Sequence, residues 1–135
     1  STRVTFIIVD PDIKKAGISS RPVNLIDVFP TLIDLTDCPK KEDLDGLSLL
    51  PLLKQDEGDW SRPSITTHGR GNHSIRDDRW RYIKYSDGSE ELYDHINDDN
   101  EWTNLANDTE YIEVKNRLAK WLPTNEAASA PLDEN

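Results

Sequence analysis

SITTHGRGNHSIRDDRWRYIKYSDGSEELYD, residues 64–94, contains four short runs with the features of β-strands, separated by polar turns that contain glycine or aspartate. The runs are rich in β-branched and aromatic residues, which favour a pleated, partly buried surface. The turn Ser86-Asp87-Gly88-Ser89 carries a glycine that tolerates the positive φ of tight hairpins. Because the runs are so closely spaced, we predict an antiparallel meander of four strands. The predicted strands are residues 64–68, 73–76, 80–85 and 91–94.

An amphipathic helix is predicted after the sheet. Its apolar positions recur at helical spacing and are Tyr111, Val114, Leu118 and Trp121. Asn107 and Glu110 have the spacing of a capping box at its start, and Pro123 ends it. Trp80 and Tyr82 share one strand face at period two, so we expect them to pack against this helix, with Trp121 in the same core.

The N-terminal half has a different pattern. Residues 4–9 are almost continuously apolar and β-branched, which is typical of a strand buried on both faces of an α/β sheet. Residues 23–35 have helical spacing, with Pro30 near the middle, where it should kink the helix or separate a first turn from the main helix. Ser48 is a predicted cap for a short helix over 49–53.

The chain has 135 residues and a formal net charge of −10, from 16 basic and 26 acidic side chains. Phosphate would be repelled by this charge, so the composition argues against a nucleic-acid-binding protein. No apolar run approaches the roughly 18 residues that a membrane helix needs, and no secretory signal is recognised. We therefore expect neither nucleic acid nor membrane as a partner, while the compartment stays open.

The charges are segregated along the sequence. Residues 62–85 contain six basic and two acidic side chains, whereas residues 86–113 contain ten acidic and no basic ones. The basic stretch either faces an anion or forms one exposed strand face beside an acidic turn and helix.

Three local patterns are candidates for chemistry, and none of them matches a catalytic motif. Cys38 follows a predicted helix, whose negative dipole end disfavours a thiolate, so a structural role is expected. Residues 94–101 are acidic but lack the ligand alternation and the glycine of a calcium loop. Residues 68–73 place two histidines, an arginine and an asparagine beside two glycines. This loop is either an anion or sugar site, or a solvated hairpin.

Four segments, in order, resemble the C-terminal region of formylglycine-dependent sulfatases, which belong to the alkaline-phosphatase-like superfamily. Residues 21–35, RPVNLIDVFPTLIDL, resemble the family stretch pVslvDlyPTLldLaG, and residues 44–53, LDGLSLLPLL, resemble lDGrSLlPLL. Residues 75–85 contain IR and WRYIKY, similar to vRterwKYirY, and residues 91–105 resemble ELYDl..DP.E..NLa. The iduronate-2-sulfatase-like branch is the most similar in character.

The resemblance also implies where the catalytic groups lie. The family's nucleophile is a formylglycine made from the cysteine of a Cys-x-Pro-x-Arg motif, whereas Cys38 is followed directly by Pro39, and position 42 is Glu42. The family's paired calcium ligands are also absent from this sequence. We therefore expect no catalytic or metal-binding residue in this chain, and we expect calcium and formylglycine in an N-terminal part of the parent enzyme.

The domain organisation implied by the resemblance has three parts. Residues 1–60 are the tail end of an α/β catalytic domain, residues 61–123 form a C-terminal subdomain, and residues 124–135 are a flexible tail. The expected fold class is α+β: a small antiparallel sheet packed with a C-terminal helix, preceded by a strand and a helix. The strand over 4–9 has no partner here, so the isolated chain should self-associate through it or be disordered over its first dozen residues.

In this family, loops of the C-terminal subdomain help to shape the substrate pocket, and the matching loop here is residues 67–73. Four of its donors are predicted to bind a sulfated sugar or a second anionic group: His68, Arg70, Asn72 and His73. The implied parent is an exported sulfuric ester hydrolase, periplasmic, extracellular or lysosomal, and the chain alone is predicted to be inactive. Its own catalytic domain and a sulfated carbohydrate are the expected partners. Two alternatives stay open: a stand-alone glycan-binding, anion-binding or interaction module, and a related phosphoesterase.

Overall fold

A computed structural model describes residues 4–14, 16–54 and 60–128. The chain divides into two compact units, Ser1–Arg62 and Pro63–Asn135. In the described part of the chain, no helix is long and apolar enough to cross a membrane. The assignments of residues 1–60 to the end of a catalytic domain and of residues 124–135 to a flexible tail stay predictions, and residues 129–135 lie outside the described part.

The helix predicted over 23–35 is divided in two in the first unit. A 3-10 turn at Leu25–Asp27 leads directly into α1 (Val28–Leu35). The boundary between the 3-10 turn and α1 falls before Pro30. Pro30 lies in the first turn of α1, where a backbone N–H group would have no intrahelical partner. Pro30 is therefore accommodated inside the helix and does not mark its start.

The first unit does not contain the strand predicted over residues 4–9. Ile7 is 76% exposed and Val9 is 89% exposed. A strand needs a neighbour for its backbone N–H and C=O groups, and the described residues of this unit include no other strand. Residues 4–9 therefore carry the sequence pattern of a strand but form none in this unit, because they have no neighbouring strand among the described residues to pair with.

A buried aspartate organises the first unit. Asp27 has no exposed surface, and its carboxylate accepts hydrogen bonds from the backbone N–H groups of Asn24 and Leu47, both at 2.9 Å. Arg62 Nη1 donates to the same carboxylate at 2.5 Å. These contacts satisfy the buried charge, and they hold the 45–49 loop against the start of α1.

A second set of contacts closes the same loop. Thr31 Oγ1 donates to the carbonyl oxygen of Asp27 at 2.5 Å and accepts from the backbone N–H of Leu49 at 2.8 Å. Gly46 lies so close to the chain that an added Cβ would be 2.2 Å from the carbonyl oxygen of Ile26. The loop leads into α2 (Leu50–Leu53), which begins one residue later than predicted.

The second unit is built on a four-stranded sheet. Its strands are β1 (Ser64–Thr67), β2 (His73–Arg76), β3 (Trp80–Lys84) and β4 (Glu90–Asp94). The strands lie in sequence order and every neighbouring pair is antiparallel. This confirms the predicted meander, with strand bounds that differ from the predicted ones by at most one residue.

The core of the second unit lies on one face of this sheet. Ile75 is opposite Tyr82, and Tyr82 is opposite Leu92, so these side chains form a row across three strands. α3 (Ile112–Ala119) covers the row and adds Leu118, which is fully buried. Trp80 completes the core, with its ring centroid 5.4 Å from that of Tyr111.

Two details of the predicted helix are corrected. Trp121 is 37% exposed, lies beyond the end of α3 and is not part of the buried core. The helical pattern assigned it to the core because it assumed that the helix runs on to Pro123. At the other end, Asp108 caps a 3-10 turn, Thr109–Tyr111, by accepting a hydrogen bond from the backbone N–H of Glu110 at 3.0 Å.

The segregated charges largely neutralise each other within the second unit. Three basic side chains of β3 and the residue before it form ion pairs with the acidic stretch: Arg79 with Asp94, Arg81 with Glu101, and Lys84 with Glu90. These contacts favour the second interpretation of the charge pattern, in which a basic strand face lies beside an acidic turn. Of the other two basic side chains of this stretch within the unit, Arg76 contacts the ring of His95, and Arg70 lies in the exposed β1–β2 loop.

Candidate functional site

The candidate site is the loop that joins β1 to β2. The backbone N–H of His68 donates to the carbonyl oxygen of Asn72 at 3.0 Å, which closes the loop as a hairpin. Gly69 and Gly71 have φ angles of 70° and 76°, a region that disfavours residues with a Cβ atom. A Cβ on Gly71 would also lie 2.9 Å from Ser86 Cβ. The two glycines therefore determine the shape of this loop.

His73 points inward from the first position of β2 and is only 5% exposed. Its Nδ1 lies 2.9 Å from Thr67 Oγ1, and its Nε2 lies 3.0 Å from Glu126 Oε1. The other oxygen of Glu126 accepts a hydrogen bond from the backbone N–H of Gly71 at 2.8 Å. Both ring nitrogens of His73 are thus occupied by partners from this chain.

Asn72 braces the loop. Its Oδ1 accepts from the backbone N–H of Ser86 at 3.2 Å, and its Nδ2 donates to the carbonyl oxygen of Arg70 at 3.2 Å. The side chains of His68 and Arg70 are exposed. The four predicted residues therefore divide into two that hold the loop, Asn72 and His73, and two that project from it, His68 and Arg70.

The loop forms one wall of an open concavity of about 540 Å³. The opposite wall is the segment 123–128, which approaches from beyond α3. The concavity is lined by Thr67, Gly69, Arg70, His73, Pro123, Asn125, Glu126, Ala127 and Ala128. Its composition is mixed, with apolar surface from proline and alanine and polar groups from the loop.

The charge state of Glu126 follows from these contacts. Its pKa is lowered from its ordinary value, first by the hydrogen bond from His73 and then by the one from the Gly71 N–H, with a smaller contribution from the charge of Arg70. An ionised carboxylate only accepts hydrogen bonds, so this contact requires the form of His73 in which Nε2 is the donor. The loop thus directs two N–H groups at one carboxylate.

Glu126 was missed in the sequence interpretation, which placed it in a flexible tail. No local pattern singles it out, because residues 124–128 are small or polar and have no period. Its partners are 53 and 55 positions away in the chain, so only the tertiary structure brings them together.

Two other candidate patterns have structural explanations. Asp94 forms a two-point contact with Arg79, whose hydrogen bonds lower the pKa of Asp94 to about 2 against the opposing effect of burial. Glu101 contacts Arg81 and His95. Among the described residues, no group of three or more histidine, cysteine, aspartate or glutamate side chains is arranged to hold a metal ion.

Cys38 is exposed and accepts a hydrogen bond from Thr36 Oγ1 at 3.2 Å.

Comparison with known proteins identifies the family to which the chain belongs. Residues 1–128 match the model of the family described as N-sulphoglucosamine sulphohydrolase, C-terminal. The chain belongs to this family. Residues 1–128 thus match the C-terminal region of a sulfatase family, as the four motifs predicted. The match does not distinguish the iduronate-2-sulfatase-like branch, so that assignment stays a prediction.

Two curated relatives are sulfatases by name. The chain is 32% identical over 127 residues to a sulfatase of Formosa agariphila, and the match covers 94% of the chain and 25% of that protein. It is 36% identical over 121 residues to arylsulfatase K of Gallus gallus, which covers 78% of the chain and 23% of that protein. The chain thus spans about a quarter of the length of the curated relatives that it matches.

Two solved structures share this fold over 70% of the chain. One is described as a 2-O GAG sulfatase, with a TM-score of 0.55, 26% identity and 22% of its own chain covered. The other is the phosphonate monoester hydrolase of Agrobacterium radiobacter, with a TM-score of 0.55, 28% identity and 23% of its own chain covered. A similar fold is therefore found in a sulfatase and in a phosphonate monoester hydrolase.

Proposed function

We propose that this chain is the C-terminal part of a longer sulfatase that hydrolyses sulfate esters of sugars. The family match over residues 1–128 carries the proposal, and the two curated relatives, both sulfatases about four times as long, support it. The sugar substrate is supported by the 2-O GAG sulfatase among the similar structures. As in the predicted organisation, residues 1–60 would complete the catalytic domain of that protein.

The exposed apolar surface of the first unit supports the proposal that another part of the protein covers it. Leu25, Phe29 and Leu32 lie on one side of the 3-10 turn and α1, and all three are at least half exposed. Ile7 and Val9 of the same unit are exposed as well, so this unit has more exposed large apolar side chains than the few scattered ones that are ordinary on a soluble domain. The proposed occupant is the remainder of the catalytic domain. Self-association of the isolated chain through the same surface is the outcome expected when that domain is absent.

The nucleophile and the metal of the proposed enzyme do not fit the residues described here. Cys38 lacks the Cys-x-Pro-x-Arg context, and in residues 94–101 the side chains of Asp94, Asp98 and Glu101 are engaged in ion pairs and turn contacts. No catalytic step is therefore assigned to this chain. The formylglycine and the calcium ion belong, in this proposal, to the longer protein outside these residues.

The role proposed for the β1–β2 loop is to bind an anionic part of the sugar. Arg70 projects from a loop whose shape is determined by Gly69 and Gly71, so its guanidinium is presented on a braced backbone. A guanidinium offers two parallel donors to a sulfate or carboxylate group. His68 projects from the same loop and adds a second donor.

The loop is tested in the complete protein. Arg70→Ala and His68→Ala should lower kcat/KM for a sulfated sugar by about tenfold each, which corresponds to about 1.4 kcal/mol of lost binding to an anion. Lys120→Ala removes an exposed positive charge from the end of α3 and is the matched control. Unchanged kcat/KM in both loop variants would rule out a substrate role for this loop.

The phosphoesterase alternative is favoured by one observation, the similar phosphonate monoester hydrolase structure. Assaying the complete protein with matched sulfate, phosphate and phosphonate esters of one phenol distinguishes the two classes. Preferential sulfate ester hydrolysis supports the sulfatase, and preferential phosphonate ester hydrolysis supports the alternative. A stand-alone binding module would release none of the three anions but would still retain the sugar.

A further inference from the structure

The carboxylate of Glu126 is bound in the manner of a ligand. Its two oxygens accept one hydrogen bond each, from the Gly71 N–H at 2.8 Å and from His73 Nε2 at 3.0 Å. One donor lies in the β1–β2 loop and the other on the first residue of β2, and Glu126 reaches them from a segment that forms no helix or strand. The loop therefore contains a receptor for a two-oxygen anion.

This receptor is held in place by contacts that do not involve Glu126. His73 is nine-tenths buried, and Thr67 Oγ1 occupies its Nδ1, which fixes the orientation of the ring. Gly71 has a positive φ and packs against Ser86, so its N–H direction is also determined by the fold. Donors that are already oriented lose little freedom when an anion binds to them.

The surroundings favour a negative charge at this position. Arg70 lies near enough for its charge to act on Glu126. Arg70, His73 and Glu126 all line the open concavity between the loop and the segment 123–128, so the receptor is reached from solvent. This chain carries a net charge of −10, and a local group of donors is what allows an anion to approach it.

We infer that the Gly71 N–H, His73 Nε2–H and Arg70 form an anion-binding subsite that Glu126 fills in this structure, and that a carboxylate or sulfate group of a sugar exchanges with Glu126. The inference rests on the proposed function in one respect, namely that the β1–β2 loop lines the substrate pocket. Glu126 then acts as an internal competitor, because a tethered carboxylate has a high effective concentration at its own site.

The test is anion binding to the 135-residue chain, followed through the backbone amide resonance of Gly71 and the ring resonances of His73. Sodium sulfate, sodium acetate and sodium chloride are titrated at matched ionic strength into the wild type, Glu126→Ala and Glu126→Gln. Both variants should bind sulfate or acetate at least about fivefold more tightly than the wild type, because the internal competitor is removed or neutralised. Glu113→Gln, an exposed carboxylate on α3, is the control and should bind as the wild type does.

Comparing the titrations with acetate and with sulfate identifies the chemical class of the ligand. Tighter binding of acetate alone assigns the subsite to a sugar carboxylate, and tighter binding of sulfate alone assigns it to a sugar sulfate group. Adding Arg70→Ala to Glu126→Ala should weaken that binding again. Equal anion affinity in the wild type and in both Glu126 variants would overturn the inference, as would a chloride response equal to those of sulfate and acetate.

The inference and the proposed function fail in different ways. If Glu126→Ala binds the anion but Arg70→Ala leaves sulfate ester hydrolysis unchanged in the complete protein, the subsite stands and its role with substrate falls. If Arg70→Ala impairs hydrolysis but no Glu126 variant gains anion affinity, the substrate role stands and the exchange with Glu126 is wrong.

Discussion

Arg62 Nη1 donates a hydrogen bond to Asp27 Oδ1 at 2.5 Å, and so joins residues that are 35 positions apart in the chain. Asp27 is the aspartate of the segment that resembles the DlyPTL stretch of sulfatases, and Gly46, from the second resembling segment, packs against the backbone beside it. These motif residues therefore have a structural explanation within this unit. They hold a loop, a helix and the end of the unit together, and none of their contacts requires a substrate.

The first prediction concerns this buried carboxylate. Asp27→Asn replaces an acceptor that serves Asn24 N, Leu47 N and Arg62 with a side chain that also carries an N–H donor. The new amide NH₂ group then faces the N–H groups that the carboxylate had accepted from, and the positive charge of Arg62 loses its ion-pair partner. We expect a loss of about 3 kcal/mol in the free energy of unfolding, measured by urea denaturation. Glu42→Gln, at an exposed position of the same unit, should change stability by less than about 0.5 kcal/mol. An equally small effect of Asp27→Asn would show that the buried network is not required.

The second prediction separates steric from conformational effects at glycine. Gly46→Ala places a Cβ 2.2 Å from the backbone carbonyl oxygen of Ile26, which no rotamer change can relieve. We expect it to destabilise the first unit by more than about 3 kcal/mol. Gly88→Ala meets no atom within 4 Å but has a φ of 90°, so only the conformational cost of about 1 kcal/mol applies. Comparing the thermal unfolding of the two variants tests this, and the reverse order would contradict it.

The third prediction concerns the helix that covers the sheet. Leu118 is fully buried, whereas Trp121 is 37% exposed and lies beyond the end of α3. Leu118→Ala should cost about 3 kcal/mol through lost burial and the resulting cavity. Trp121→Ala should cost clearly less, although it deletes a larger side chain. Chemical denaturation of both variants gives the comparison, and a larger loss for Trp121→Ala would place Trp121 in the core after all.

The fourth prediction concerns acid stability. The pKa of Glu90 is lowered to about 2, chiefly by the hydrogen bond that Tyr82 donates at 2.6 Å, with further contributions from Lys115 and Lys84 that together outweigh burial. Because this pKa is depressed in the folded state, Glu90 stabilises the fold above its ordinary pKa of 4.5. That contribution is lost as the pH falls from 4.5 toward 2.

Glu90→Gln should therefore cost about 2 kcal/mol at neutral pH, and the difference from the wild type should narrow as the pH falls through this window. Urea denaturation at a series of pH values measures it. The control is Glu113→Gln, at an exposed site on α3, and it should show no such pH dependence. A difference between Glu90→Gln and the wild type that stays constant down to pH 2 would contradict the proposed ionisation.

The second unit was largely predictable from sequence because its elements are determined locally. Alternating residues such as Trp80 and Tyr82, together with the glycine turn at Gly88, specify strands and their connections without reference to distant residues. The limits of the prediction appear where an element depends on a partner. Residues 4–9 carry a strand pattern, but a pattern alone does not supply hydrogen-bonding neighbours, and none is found among the described residues of that unit.

In the candidate site, too, the locally determined features are predictable from sequence and the contacts with distant residues are not. The donor-rich loop is recognisable from composition, and three of its four predicted residues lie between β1 and β2, with His73 at the first position of β2. The sequence does not tell which of them point outward, because His73 turns inward only through Thr67 and Glu126. Glu126 itself lies more than fifty positions from the loop, in a stretch with no local pattern. Tertiary contacts between a loop and an irregular segment lie beyond what periodicity and motifs report.

The central claim is tested most directly by sulfate release from a panel of sulfated sugars, with the 135-residue chain compared with the product of the complete gene. The account predicts sulfate release by the complete protein and none by the 135-residue chain, since no nucleophile of the required kind is found in this sequence. Sulfate release by the isolated chain would contradict the assignment of the catalytic groups to the longer protein. Release by neither, across the whole panel, would contradict the sulfatase function itself.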